Sequence, residues 1–105
     1  MEVIVTDNNA KEFFASELPI VIDFSATWCG PCRQLAPVID ELAKEYDGRI
    51  LVGKCDIEDA VETTDEYNIR NVPTVLFIKN GQVVNKFVGS KSKADVQKYF
   101  EELLA

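Results

Sequence analysis

The chain reads as a three-layer α/β domain with a central mixed β-sheet, in the element order β-α-β-α-β-α-β-β-α. Three observations predict it. Ile20-Val21-Ile22-Asp23-Phe24 is apolar on both faces of a strand, so it needs cover above and below. After Cys32, the residues Leu35, Val38, Ile39, Leu42, Ala43 and Tyr46 form the i, i+3, i+4, i+7 stripe of a long amphipathic helix. Two β-rich runs, Thr74 to Ile78 and Val83 to Val88, meet across Asn80-Gly81, a dipeptide that accepts the positive φ of a tight hairpin. Strand–helix–strand crossovers imply parallel pairing, and the hairpin adds an antiparallel strand.

The remaining elements follow in order. Val3 to Val5 is a short apolar run. Asn9 with Glu12 predicts a helix cap, and Ala10, Phe13, Phe14 and Leu18 fall at helical spacing behind it. On the long helix, Asp40, Glu41, Lys44 and Glu45 take the solvent side, Gly48 ends the element, and Pro37 is expected to kink it. Ile50 to Cys55 is another strand, and Asp59 to Tyr67 a weaker helix. Ser92 with Asp95 caps a last helix whose stripe is Val96, Tyr99, Phe100, Leu103 and Leu104.

At 105 residues the chain is the size of one domain, expected to run over 1–105. A net charge of −7 disfavours phosphate backbones, so neither nucleic acid nor an anionic membrane is an expected partner. The chain contains no histidine, which removes Ser-His-Asp and Cys-His triads and imidazole metal sites. No apolar run approaches the ~20 residues that cross a bilayer. The start shows no basic, apolar leader, and the three cysteines are an odd number, unlike a secreted disulfide framework. A cytoplasmic protein with reduced thiols is expected. Between Lys54 and Arg70 the acids Asp56, Glu58, Asp59, Glu62, Asp65 and Glu66 meet no base, as on a solvated helix face.

Chemistry concentrates at Trp28-Cys29-Gly30-Pro31-Cys32, where the buried strand ends and the long helix begins. Two cysteines at this spacing can close a small disulfide, because the helix start brings the second sulfur back toward the first. Unpaired N–H groups and the positive end of the helix dipole stabilise an anion there, so the first sulfur should ionise readily. The thiolate is the attacking species in disulfide exchange. Cys29, nearer the exposed turn, is the expected nucleophile, and Cys32, one helical turn inward, is placed to resolve a mixed disulfide intramolecularly. A zinc site would need two more ligands, and only Cys55 remains among the cysteines, so no metal is expected.

With these residues in view, the chain resembles the thioredoxin family. Trp28 to Cys32 matches the family signature, and Asp23, Lys54, Val72-Pro73-Thr74, the Asn80-Gly81 hairpin and Gly89 lie at matching distances. The resemblance covers essentially the whole chain. It implies the thioredoxin fold and a protein-disulfide reductase that cycles the Cys29/Cys32 pair between dithiol and disulfide. It agrees with a readily ionised first sulfur and also implies a reducing potential. Implied partners are disulfide-containing client proteins and a thioredoxin reductase. No bound cofactor is expected, since no nucleotide-binding glycine motif is present; electrons would come from that separate NADPH-dependent flavoprotein. The expected state is a monomer.

Supporting roles divide between residue chemistry and resemblance. Asp23 interrupts a core strand, and an unpaired buried carboxylate should have a raised pKa, suiting it to exchange protons with a thiol. The resemblance makes it the proton acceptor for Cys32. Lys54 either pairs with Asp23, as in the family, or packs its stem while its ammonium reaches water. Gly30, Pro31 and Lys54 are implied to tune the redox potential. Pro73 opens a strand; the resemblance implies a cis peptide facing the dithiol, with the backbone before it pairing an extended substrate. Trp28, Gly30, Pro31, Val72, Pro73 and Gly89 would then form a flat, largely uncharged docking surface. Cys55 is expected to be a small buried apolar thiol. The chain departs from the family pattern at Ser25, where many bacterial members carry an additional Trp, and at Asn71, where a smaller residue is common. Either could adjust potential or partner choice.

Overall fold

A computed structural model describes residues 2–105. The chain runs β1 (Glu2–Val5), α1 (Ala10–Phe14), β2 (Ile20–Ser25), α2 (Gly30–Glu45), β3 (Leu51–Asp56), α3 (Val61–Glu66), β4 (Thr74–Lys79), β5 (Gln82–Val88) and α4 (Lys93–Leu104). The strands form one sheet in the order β1-β3-β2-β4-β5. β1 and β2 both pair parallel to β3, whereas β4 pairs antiparallel to β2 and to β5. This is the three-layer mixed-sheet architecture that the sequence predicts.

β2 lies at the centre because all of its residues are buried, and its alternation divides the core in two. Val21 points into a cluster with Leu35, Ile39 and Leu42 of α2 and with Val96, Phe100 and Leu103 of α4. Ile20, Ile22 and Phe24 point the other way, into a cluster with Phe13, Cys55 and Leu76. Removing each large aliphatic side chain from water contributes roughly 2 kcal/mol, so the two stripes, more than helix propensity, hold the layers in place. Polar contacts tie α2 to α4 at the rim. The Tyr46 hydroxyl donates to the Glu101 carboxylate, and Lys93 bridges Glu41 and Glu45.

The hairpin matches its dipeptide: Asn80 and Gly81 take φ of 54° and 78°, the paired positive values of a type I′ turn. Ser92 caps α4 by accepting the Asp95 N–H at 3.2 Å. Helix α2 runs unbroken through Pro37. The first helix is a correction. It ends at Phe14, so Leu18 lies outside it and is 40% exposed. Asn9 makes no side-chain cap, because its carboxamide is engaged upstream, accepting the Thr6 N–H at 2.7 Å and donating to the Ile4 carbonyl at 2.8 Å. No helix among the described residues is long and apolar enough to cross a membrane.

Candidate active site

The carboxyl end of β2 delivers the chain through Ala26, Thr27 and Trp28 to the start of α2. Cys29 is the residue before the helix, with extended backbone (φ −92°, ψ 117°), and its sulfur serves as the cap. The Cys32 N–H donates to Cys29 Sγ at 3.2 Å, satisfying one of the helix's unpaired donors and setting its partial positive charge against that sulfur. Pro31 occupies the first turn, where a missing N–H costs nothing. Cys29 and Cys32 are joined as a disulfide with Cα atoms 5.3 Å apart, an ordinary span. Exposure scarcely separates the two cysteines, at 6% for Cys29 and 4% for Cys32, contrary to the expectation of a nucleophile at an open turn. What distinguishes them is the hydrogen bond aimed at Cys29.

Facing the dithiol is the segment that enters β4. The Val72–Pro73 peptide is cis, and the Val72 carbonyl oxygen lies 3.7 Å from Cys29 Sγ. Around it, the Gly89 N–H donates to the Pro73 carbonyl at 2.9 Å and the Thr74 hydroxyl to the Asn71 carbonyl at 2.6 Å. Trp28 is 64% exposed, which makes it a surface aromatic and not a core one. Gly30 and Pro31 are exposed beside it, and Val72 and Gly89 are half-buried.

Behind the dithiol, on the α2 side of the sheet, lies Asp23. It is 1% exposed, and its Oδ1 has no hydrogen-bond partner among the described residues. Burial strips the carboxylate of water and raises its pKa from 3.8 to about 7, and the positive charge of Lys54 opposes that rise. Lys54 is half-buried directly opposite Asp23 on β3. It also lines a cavity of about 300 Å³ whose walls include Ser25, Ala26, Ala36 and Cys32.

Another carboxyl pair was not legible in the sequence. Glu2 on the outer strand shares a hydrogen bond with Asp40 of α2; burial first, then that bond and the Asp40 charge, push Glu2 up to about 8. Asp40 is correspondingly held below the usual carboxylate range. Cys55 lies apart from all of this, in the cluster on the opposite face of the sheet, fully buried, its thiol pushed up to about 11 by burial.

This arrangement has close counterparts. A family model described as Thioredoxin matches residues 1–102. A chloroplastic M-type thioredoxin of Spinacia oleracea is 47% identical over 102 residues, covering 96% of this chain and 56% of its own length. The Pisum sativum M-type protein is 43% identical, with 59% of its length covered, so the chain spans little more than half of these two relatives. Thioredoxin 1 of Nostoc sp. is 41% identical over 101 residues, 95% of this chain and 94% of the relative. A disulfide-bonded cysteine pair at the start of a helix, found in a sequence matched almost end to end, leaves one assignment: the chain belongs to the thioredoxin family.

Proposed function

We propose that the chain is a protein-disulfide reductase working by dithiol–disulfide exchange. The observation that carries this reading is the Cys29–Cys32 pair at the start of α2, with the Cys32 N–H directed at Cys29 Sγ. In the dithiol form, Cys29 thiolate attacks one sulfur of a client disulfide. A Cys29–client bond forms, the client bond breaks, and the first client sulfur leaves as a thiolate that takes up a proton. Cys32 then loses its proton to Asp23 and attacks Cys29 Sγ, expelling the second client sulfur. Two electrons pass to the client, and the Cys29–Cys32 disulfide remains.

A pKa near 7 suits Asp23 to this step, since an appreciable fraction is ionised and able to accept a proton at neutral pH. Lys54 favours that ionised form. Trp28, Gly30, Pro31, Val72, Pro73 and Gly89 supply the docking strip, where an extended client backbone pairs beside Val72. A separate NADPH-dependent flavoprotein, a thioredoxin reductase, restores the dithiol. The protein acts as a monomer in a reducing compartment such as the cytoplasm. The test is reduction of insulin disulfides with dithiothreitol as electron donor. The native chain should accelerate it and Cys29→Ser should not; equal rates for the two would refute the reading.

A further inference from the structure

A groove of about 380 Å³ runs along the α1/α3 side of β4 and β5, beneath the segment that follows α3. Buried Leu76, half-buried Tyr67 and Val88, which is 51% exposed, give it an apolar patch beside the polar Asn68, Asn71 and Thr74. Arg70 and Lys86 stand at its rim, both exposed, and no Asp or Glu lines it. Neither cation forms an ion pair among the described residues. Acids flank it: Asp65 lines an adjoining hollow that shares Asn68, Ile69 and Arg70 with the groove, and Glu66, the last residue of α3, precedes Tyr67. In a chain with 18 acids and 11 bases, this local reversal of sign sets the groove apart from the surrounding surface.

The groove is continuous with the docking strip. Asn71, one of its lining residues, precedes Val72, and Val88 precedes Gly89. Thr74 and Val88 are register partners at its upper end, with Leu76 and Lys86 one pleat further on. At ~3.3 Å per residue, an extended client crossing Val72 would bring side chains two to four positions from its cysteine over Arg70 and Lys86.

We infer that this groove is a specificity subsite for an acidic stretch flanking the target cysteine of a client protein, with an apolar side chain seated on Tyr67, Leu76 and Val88. The inference deepens the reductase reading and rests on it for the occupant's identity. It is tested with disulfide-linked synthetic peptides that carry Asp-Glu or Lys-Lys two to four residues to either side of the cysteine. One acidic peptide should be reduced with a kcat/KM about five-fold above its lysine counterpart, through KM, the product of two exposed charge pairs. That preference should vanish in Arg70→Ser/Lys86→Ser and fade at ~0.5 M salt. Serine-for-cysteine versions of the same peptides give a binding readout independent of the redox reaction. The acidic one should shift the backbone amide resonances of Arg70 and Lys86, and the lysine one should not. Equal kcat/KM and equal shifts for both peptides would overturn the subsite, as would a preference that survives the double substitution. Selective shifts without reduction of any peptide would support the groove while refuting the reductase reading.

Discussion

Asp23 and Lys54 are register partners across β2 and β3, yet they form no ion pair, and Asp23 Oδ1 is left without a hydrogen bond. The carboxyl is thus buried beside a positive charge close enough to lower its pKa but not to satisfy it. Its pKa of about 7 in the folded chain lies above its ordinary 3.8, so the folded state holds the proton more tightly. Stability from this group is complete in acid and is lost as pH rises through about 7. Glu2 adds to the same trend between 4.5 and about 8. Urea denaturation should therefore show the native chain less stable at pH 8 than at pH 5, by on the order of a few kcal/mol. Asp23→Asn should narrow that gap. A native chain more stable at pH 8 would contradict the burial account.

The two half-reactions should respond separately to substitution. Cys32→Ser leaves the capping sulfur of Cys29 free to attack but removes the resolving thiol, so covalent complexes with clients should accumulate on non-reducing gels. Cys29→Ser should trap none. Asp23→Asn should prolong the mixed disulfide by about 100-fold, the lower end of what a lost general base costs, while leaving its formation nearly unchanged. Equal slowing of formation and release would remove Asp23 from the proton-acceptor role.

Cys55 should be silent until the chain unfolds. It is fully buried in the cluster that holds Phe24 and Phe13, on the face away from the dithiol, and burial raises its thiol pKa to about 11. Little thiolate exists at pH 8, and none of it is reachable. Mass spectrometry after iodoacetamide treatment of the reduced native protein should find Cys55 unmodified, with full alkylation in 6 M guanidinium, a denaturing concentration for an ordinary domain of ~100 residues. Rapid native labelling would mean that the α1/α3 layer opens locally.

Sequence order and periodicity were enough for the layers because each element carries its own pattern: a two-sided apolar β2, the α2 stripe, and the positive-φ pair Asn80-Gly81. The end of α1 was not legible. Asn9 satisfies the Thr6 N–H and the Ile4 carbonyl instead of capping the helix, a choice made by the fold of the preceding turn. At the site, the Cys29-to-Cys32 spacing and the lone acid in β2 were visible as local chemistry. The Glu2–Asp40 pair, the cavity beside Ser25 and the Arg70/Lys86 groove join residues far apart in the chain. Only strand register and the packing of α2 and the α3–β4 segment bring them together, and no local pattern encodes that.

Gly53 is the other residue whose role appears only in three dimensions. It sits inside β3 with no turn to explain it, paired with Val3 on one side and Ile22 on the other. A Cβ there would lie 2.5 Å from Phe13 Cζ and 2.8 Å from both Phe13 Cε1 and Val5 Cγ2. The ring of Phe13, 4% exposed, packs directly over the glycine, so the missing side chain is what lets α1 close on the sheet. Gly53→Ala gains the better strand propensity of alanine but must displace that ring. Overpacking of this kind costs about 1–3 kcal/mol and should lower the urea midpoint without changing the slope. Phe13→Leu alone should also destabilise, by opening a void. Combined, the two should cost less than the sum of the single changes, because the shorter leucine yields space to the new methyl group. Additive losses would show that Phe13 and Gly53 do not compete for the same volume.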